Sequence, residues 1–343
     1  MANVQITLVE EGSARTIPAA IDGGVVRVAP QALGWKLELQ GLCKDGQCVP
    51  TTAHAGLVSE DGIDLARFAA LLDRAFASDL DERIVALGPS SSERTALLRS
   101  LAAPDFTLHD LSGHPHALSA YRGRKVMLLA YASWCGCRHD LPAWQELYAE
   151  LEPYGFTLIS VALDRSADDA RAWVEAAAAT HPTLVDPEHI LASLYRMTNV
   201  PTAVWIDEHG RIVRPPDVAF PNDSMREFTG VDSGPFLAAL RAWVKEDRLP
   251  SDPQEARDKQ IVPSADDELA RVEFALAWQL HKSGRSEAAE RHFVRAEQLS
   301  PMDFTIRRAS LPIRGKDPMG PDFVPLYSEW LAAGRPYYRR DDG

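Results

Sequence analysis

The central part of the chain, residues 99–250, shows two hydrophobic patterns in alternation. Continuous apolar runs occur in KVMLLAYAS and FTLISVALD, and such runs are typical of strands buried on both faces of a sheet. Each run is followed by a segment with helical spacing. The segment NVPTAVWIDEHGRIVRP then has two extended runs around an EHG turn, which predicts a hairpin. Together these elements predict an α/β fold, a mixed sheet with helices on both faces.

Residues 1–98 carry shorter and more varied patterns. VVRVAP and KLELQG alternate like strands, and residues 64–77 have helical spacing. The stretch ALGPSSSER, residues 86–94, is rich in Ser and Pro and predicts a linker or surface loop. We therefore predict a small α+β N-terminal domain over residues 1–98.

A polar stretch that contains proline, near residues 250–263, predicts a second boundary. Two segments with helical spacing follow it and flank Gly284, which predicts a helical hairpin. We therefore predict a helical C-terminal region over residues 264–343.

Composition and charge exclude several classes of protein. A content of 45% hydrophobic and 25% charged residues is ordinary for a globular protein. The net charge of -13 argues against nucleic acid or an anionic membrane as a partner. The sequence shows no secretory signal, and no apolar run approaches the roughly 20 residues of a membrane span. We therefore expect a cytoplasmic protein with no nucleic-acid and no membrane partner.

The four cysteines fall into two close pairs. Cys43 and Cys48 stand in GLCKDGQCVP, and Cys135 and Cys137 stand in YASWCGCRHD. Four cysteines in 343 residues are too few for a disulfide scaffold. In a reducing compartment, paired cysteines more often indicate redox chemistry or metal binding.

Cys135 lies at a predicted junction between a strand and a helix. Backbone N–H groups without helical partners and the positive end of the helix dipole favour a thiolate at such a junction and lower the cysteine pKa. Trp134 is expected to shield the sulfur, and Arg138 to add a positive charge. We therefore predict that Cys135 is a reactive nucleophile rather than an inert buried thiol.

Residues 103–218 resemble the thioredoxin-like redoxins, in particular the membrane-anchored thiol-disulfide oxidoreductases. The matching motifs are APDFTL at the entry strand, SWCGC after the first long strand and NVPTAVWID before the hairpin. The resemblance implies a thioredoxin-like mixed sheet with flanking helices over residues 99–250. It also implies a cis-proline that faces the cysteine motif, and Pro201 holds the matching place.

The spacing of the two cysteines departs from the W-C-x-x-C motif of that superfamily. The family proline, which follows the second cysteine by five residues, matches Pro142 when Cys137 is that second cysteine. When Trp134 is the anchor instead, Arg138 takes the resolving position and Cys137 is an extra cysteine. We favour the first alignment, because a proline in a helix is structurally constrained. A Cys-x-Cys disulfide would close a small, strained ring that is easily reduced.

YASWCGC also resembles the W-A-x-x-U-G-C motif of a redoxin subfamily in which selenocysteine stands at the place of Cys135. Tyr131 replaces the first tryptophan of that motif. The resemblance implies a redox-active nucleophile at Cys135. Cys43 and Cys48 would then form an internal redox relay, although a loop-stabilising disulfide and two idle thiols are equally open.

The C-terminal helical pair resembles one tetratricopeptide unit. The matching residues are Leu276, Ala277, Gly284, Ala289, Phe293, Ala296 and Pro301, whereas Glu273 stands where the family has tryptophan. One such unit cannot bury its own apolar face. We therefore expect it to pack on the redox domain or on a protein partner.

We predict a cytoplasmic, thiol-dependent oxidoreductase without a cofactor. Cys135 attacks a disulfide or a peroxide-type substrate, Cys137 resolves the intermediate, Pro201 shapes the contact surface, and an external thiol resets the site. The P-x-x-T-x-x-C motif of classical peroxiredoxins is absent, because Leu129 and Ala132 occupy its first two places. The alternative is an adaptor that binds a partner or a metal, copper or zinc, through the cysteine pairs, His139 and the helical repeat.

Overall fold

The computed structural model describes residues 2–52, 54–249 and 252–334, with side chains from residue 4 onward. The chain forms two compact units, one of residues 1–93 with 264–299 and the other of residues 94–263 with 300–343. Residues 335–343 of the predicted C-terminal region lie outside the described residues.

The strands and helices are numbered in chain order. The strands are β1 (Ala2–Glu10), β2 (Ser13–Asp22), β3 (Val25–Val28), β4 (Lys36–Glu38), β5 (Gly41–Lys44), β6 (Gln47–Val49), β7 (Val58–Ser59), β8 (Gly62–Asp64), β9 (Arg74–Asp79), β10 (Ile84–Ser90), β11 (Thr107–Asp110), β12 (Pro115–Ala117), β13 (Lys125–Tyr131), β14 (Phe156–Ala162), β15 (Thr183–Val185), β16 (Thr202–Ile206) and β17 (Ile212–Val218). The α-helices are α1 (Leu65–Leu71), α2 (Ser91–Arg99), α3 (Leu141–Leu151), α4 (Ala167–Ala176), α5 (Ile190–Tyr195), α6 (Arg226–Thr229), α7 (Ser233–Glu246), α8 (Pro253–Asp258), α9 (Ala265–Lys282), α10 (Ser286–Leu299), α11 (Arg307–Ile313) and α12 (Val324–Ala332).

The first unit contains a seven-stranded sheet in the order β7-β8-β3-β2-β1-β10-β9 and a small sheet β4-β5-β6. In the larger sheet β1 and β10 run parallel, and the other neighbours run antiparallel. The apolar side chains of the strands form one core with Trp35 and Phe68, whose rings pack edge to face. The predicted α+β character of this part of the chain follows from these elements.

Two details of the N-terminal prediction are wrong. The helix expected over residues 64–77 ends at Leu71, because the backbone of Asp73 is left-handed (φ 52°) and β9 begins at Arg74. The loop expected over residues 86–94 is the end of β10 and the start of α2. β10 includes residues that favour turns, but burial of its earlier residues, such as Leu87, stabilises the strand.

The α9–α10 hairpin packs on β9 and β10 of the first unit. His292 of α10 connects Glu273 of α9 to Asp79 of β9, with N···O distances of 2.5 Å and 3.2 Å. Burial opposes protonation of the imidazole, but the hydrogen bonds and charges of Glu273 and Asp79 outweigh it and raise the pKa of His292. The hairpin thus packs on the N-terminal sheet, whereas the sequence analysis expected it on the redox domain or on a protein partner. Its tetratricopeptide resemblance stays a prediction.

The second unit is built on a seven-stranded mixed sheet in the order β12-β11-β15-β14-β13-β16-β17. β13 pairs in parallel with β14 and antiparallel with β16, and every residue of β13 and β14 is buried. α3 continues into a short 3-10 helix that ends at Gly155, whose φ of 77° lies in the left-handed region that favours glycine. The predicted thioredoxin-like sheet with flanking helices is confirmed.

Residues 300–334 belong to this second unit and bond to the loop that precedes β16. The Phe304 N–H donates to the Thr198 carbonyl at 2.7 Å, and the Thr305 hydroxyl donates to the Met197 carbonyl at 3.3 Å. The structure therefore divides the region predicted as residues 264–343 between the two units. Sequence patterns do not predict this division, because the apolar pattern of a helix does not identify the unit against which the helix packs.

Candidate functional site: a buried cysteine pair beside a cis-proline

The cysteine motif begins four residues after the end of β13. Cys135 is extended (φ -113°, ψ 148°) and caps a 3-10 helix, Gly136–Asp140. In this position the Cys135 sulfur accepts a hydrogen bond from the Cys137 N–H at 3.3 Å. The predicted junction between strand and helix is present, with a 3-10 helix as the first turn before α3 begins at Leu141.

Two residues that directly follow β14 hold the loop before Cys135. The hydroxyl and the N–H of Ser133 both donate to the Asp164 carboxylate, at 2.6 Å and 3.0 Å. The indole N–H of Trp134 donates to the Leu163 carbonyl at 2.8 Å, and its ring is buried beside the cysteines. Burial raises the pKa of Asp164 to about 6, against the hydrogen bonds from Ser133. Asp164 thus positions the loop from which Cys135 extends.

The third side of the site is the loop that leads into β16. The Val200–Pro201 peptide bond is cis, and the Val200 carbonyl oxygen lies 3.6 Å from the Cys135 sulfur. The Thr202 hydroxyl donates to the Asn199 carbonyl at 2.7 Å, which fixes the turn around the proline. The structure therefore brings Pro201 beside Cys135, as the resemblance to the redoxins implies.

The surroundings of Cys135 favour its thiolate. A hydrogen bond from the Cys137 thiol lowers the pKa of Cys135 most, and burial acts in the opposite direction. The positive charge of Arg308 and the N–H of Cys137 lower it further, and the Asp140 charge raises it. The balance places the pKa of Cys135 at about 7. A large fraction of the sulfur is therefore ionised at neutral pH.

The pKa of Cys137 is shifted in the opposite direction to that of Cys135. Burial and the hydrogen bond that it donates to Cys135 raise the pKa of Cys137 well above its ordinary value. The two sulfurs are not bonded to each other in this structure. The pair therefore combines one ionised sulfur with one protonated sulfur, which is the distribution expected of a nucleophile and a resolving thiol.

The cation beside Cys135 comes from residues 300–334 of the second unit, here called the C-terminal segment. Arg308 of α11 is 8% exposed, and its guanidinium donates to the Pro318 carbonyl and packs 3.9 Å from the centre of the Phe323 ring. Arg138, the predicted cation, instead donates to the Ser133 carbonyl and lies 4.5 Å from the centre of the Trp173 ring. Sequence reasoning missed Arg308, since no local motif links α11 to the cysteines.

A carboxyl group lies at the end of the same 3-10 helix. Asp140 is 4% exposed, and its Oδ2 atom has no hydrogen-bond partner. Burial raises the pKa of Asp140 to about 6. A buried carboxyl with a pKa near neutrality can accept and return a proton at physiological pH. The sequence pattern alone favours a solvent-exposed helix charge at this position, and the structure overturns that expectation.

A cavity of about 220 Å³ opens beside the pair. Cys135 and Pro201 form one wall, and residues of the C-terminal segment form the opposite wall. Among the described residues that line it, Arg308 alone is charged, and six of the other fourteen are aromatic. The cysteine pair is therefore reached through an apolar pocket.

Cys43 and Cys48 pair across β5 and β6 in the first unit and form a disulfide. Glu38 completes the one group of three His, Cys, Asp or Glu ligands that lie within 4.8 Å of one another in the described residues. Metals bind thiolates, and a disulfide has none to offer.

Cys135, Cys137 and His139 do not form such a group, and His139 packs against the edge of Trp173. The relay role of Cys43 and Cys48 stays a prediction.

Known proteins resemble this unit. Residues 100–214 match the AhpC/TSA family. The thiol-disulfide oxidoreductase ResA of Geobacillus kaustophilus is 32% identical over 122 residues, which are 35% of this chain and 70% of the relative. The thioredoxin-like protein YneN of Bacillus subtilis is 34% identical over 128 residues, 36% of this chain and 73% of the relative. A solved thiol-disulfide oxidoreductase from Bacteroides fragilis shares 22% identity with a TM-score of 0.31, over 32% of this chain and 86% of its own.

The fold and the dithiol site define a thioredoxin-like redoxin. The chain belongs to the AhpC/TSA family, and its relatives include the thiol-disulfide oxidoreductase ResA and a thioredoxin-like protein. The predicted class, a thiol-dependent redox enzyme of thioredoxin fold, is confirmed. Among the helices of residues 2–52, 54–249 and 252–334, none has both the length and the apolar character needed to cross a membrane.

The first prediction concerns the thiolate of Cys135. Titration of the ultraviolet thiolate absorbance should show a first midpoint near pH 7, since the Cys43–Cys48 disulfide does not titrate and Cys137 ionises at higher pH. Because a nearby cation favours the ionised form, Arg308→Met should move this midpoint upward by about one unit. At a given pH near 7 this variant should also react more slowly with an alkylating agent.

Arg138→Met is the matched control for this titration, because it removes the cation that the sequence predicts beside Cys135. Its midpoint should stay close to that of the wild type, since the guanidinium of Arg138 lies on Trp173. A shift in Arg138→Met that equals or exceeds the shift in Arg308→Met would contradict the assignment of Arg308.

Proposed function

We propose that this protein catalyses thiol-disulfide exchange, with Cys135 as the nucleophile and Cys137 as the resolving cysteine. The observation that carries the proposal is the asymmetry of the pair: Cys137 donates both its N–H and its thiol to the Cys135 sulfur. The Cys135 sulfur thereby ionises more readily than the Cys137 sulfur, which keeps its proton. Without this asymmetry neither cysteine would be favoured as the attacking group.

In the first step the Cys135 thiolate attacks one sulfur of a substrate disulfide. A bond forms between Cys135 and that sulfur, the substrate S–S bond breaks, and its electron pair leaves on the other sulfur as a thiolate. The cis-proline loop lies on the same side as the Cys135 sulfur and supplies the surface that the substrate contacts.

In the second step Cys137 resolves the mixed disulfide. Its thiol loses a proton, its sulfur attacks the Cys135 sulfur, and the remaining substrate thiol is released. We assign the proton to Asp140, whose buried carboxyl has a raised pKa and an unpaired oxygen. The products are two substrate thiols and a Cys135–Cys137 disulfide, so two electrons pass to the substrate. An external thiol reductant returns the pair to its reduced form.

Three finer parts of the sequence prediction remain proposals. A peroxide would be attacked by the same Cys135 thiolate, but the site has no threonine hydroxyl at the place of Ala132. A protein partner of the α9–α10 hairpin would bind in the first unit, on which that hairpin already packs. A cytoplasmic location rests on the sequence pattern alone.

Trapping the intermediate tests the two cysteine roles. Cys137→Ser should form a stable mixed disulfide between Cys135 and one half of a small disulfide substrate, because the resolving sulfur is gone. Cys135→Ser should form no adduct and should lose turnover. Intact-mass spectrometry after acid quenching measures both results. An adduct on Cys137 in the Cys135→Ser variant, formed at the wild-type rate, would reverse the assignment.

The role of Asp140 is tested by separating the two steps. Asp140→Asn should slow the resolving step by roughly tenfold or more, because the Cys137 proton loses its acceptor. The first attack should not slow, since the Asp140 charge raises the pKa of Cys135. Rapid quenching and mass analysis follow the mixed disulfide and the final disulfide separately. Glu146→Gln, at an exposed carboxylate of α3, is the control; equal effects of the two variants on resolution would contradict the role of Asp140.

A further inference from the structure

The apolar pocket beside Cys135 is closed by the C-terminal segment of the second unit. Phe304, Phe323, Tyr327 and Trp330 line it from that segment, and Phe228 of α6 lies opposite, 4.8 Å from the Tyr327 ring. The Phe304 N–H bonds to the Thr198 carbonyl, so this wall is attached to the cis-proline loop itself. The aromatic wall is therefore a fixed part of the redox site.

The segment leaves little of the nucleophile open to solvent. Cys135 is 6% exposed, and Cys137 is 3% exposed. A disulfide in a folded protein carries a backbone on both sides of each half-cystine, and both must come close to the attacking sulfur. The cavity of about 220 Å³ is small for two such backbone segments, although it exceeds the about 150 Å³ that accommodates a benzene ring in a protein core.

The walls of the pocket also select by polarity. Within the part of the chain that the structure describes, Arg308 is the only charged residue in the lining, and its charge acts on the Cys135 thiolate. Its guanidinium is held by the Pro318 carbonyl and the Met319 sulfur. The rest of the pocket offers mainly aromatic and aliphatic surface, which stabilises an uncharged apolar group.

We propose that the substrates of this site are small disulfides that carry an uncharged aromatic or similarly apolar group, and not disulfides of folded proteins. This inference rests on the proposed thiol-disulfide exchange and adds its substrate class. One substituent, about one aromatic ring with a short chain, occupies the pocket while the adjacent sulfur contacts Cys135. The ring thereby aligns the S–S bond for attack.

The electron balance is that of disulfide reduction. Cys135 forms a bond to the sulfur that bears the bound apolar group, and the second half of the substrate leaves as a thiolate. Cys137 then loses its proton to Asp140 and displaces the bound half as a second thiolate, and the enzyme pair becomes a disulfide. A dithiol reductant, such as dithiothreitol in the assay, supplies two electrons for each turnover and restores both cysteines.

The test compares three disulfides on the full chain with dithiothreitol as reductant. Dibenzyl disulfide is the aromatic probe, and bis(2-hydroxyethyl) disulfide is the small polar probe with a similar alkyl-thiol leaving group. Insulin is the protein probe. Each rate is divided by the rate with dithiothreitol alone. We expect a normalised kcat/KM for dibenzyl disulfide about tenfold or more above that of either of the other two.

Two single variants test whether the pocket causes this preference. Tyr327→Ala removes one lining ring, and the ratio of kcat/KM for the aromatic over the polar probe should fall about fivefold to tenfold. Tyr154→Ala, which removes an exposed tyrosine ring outside the pocket, should leave the ratio unchanged. Circular dichroism on both variants checks that each is folded.

The outcomes separate this inference from the proposed function. Equal normalised rates on all three disulfides, a preference for insulin, or an unchanged ratio in Tyr327→Ala would overturn the apolar substrate class. Disulfide exchange that depends on Cys135 would stand in each of these cases. A wild-type protein that reduces none of the three disulfides, or a Cys135→Ser variant as active as the wild type, would overturn both.

Discussion

The hydrogen bonding from Cys137 to the Cys135 sulfur is the interaction on which the account depends. It arises because the chain leaves β13 and turns into a 3-10 helix only after Cys135, so that the Cys137 N–H points back at the sulfur. The Cys137 thiol adds a second donor, which lowers the pKa of Cys135 and raises that of Cys137. Because one turn places Cys137 as the hydrogen-bond donor to Cys135, the two closely spaced cysteines differ in their pKa and therefore in their roles, nucleophile and resolving thiol.

The redox fold supplies the rigid surroundings of this turn, and the C-terminal segment completes them. Asp164 and Leu163, directly after β14, hold Ser133 and Trp134, and the cis-proline loop lies on the other side of the sulfur. The last described residues of the chain add Arg308 and the aromatic wall. A buried thiolate needs a nearby positive charge, because burial alone opposes its ionisation. The C-terminal segment therefore contributes to reactivity as well as to access.

Local chemistry could be predicted from the sequence, and contacts between distant segments could not. The continuous apolar runs predict β13 and β14, and the resemblance carried by the WCGC motif and Pro201 predicts the place of Cys135 beside the cis-proline loop. Arg308 had no such signal, because its role depends on how α11 packs. The same reason applies to the α9–α10 hairpin, which the sequence predicts on the redox domain or on a protein partner. An apolar helix face indicates that the helix packs against something, but it does not identify the surface. The sequence predicts a solvent-exposed charge at Asp140, and this prediction is wrong because tertiary packing, which the local pattern does not show, buries the side chain.

The central claim is that Cys135 and Cys137 form one dithiol that passes two electrons to its substrate. Reacting the reduced wild-type protein with one equivalent of dibenzyl disulfide and mapping the tryptic peptides by mass spectrometry tests it most directly, since residues 126–138 hold both cysteines in one peptide. The account predicts that this peptide becomes lighter by two hydrogen atoms, as an internal Cys135–Cys137 disulfide requires. A peptide that instead retains a benzylthiol adduct, or that is linked to Cys43 or Cys48, would contradict it.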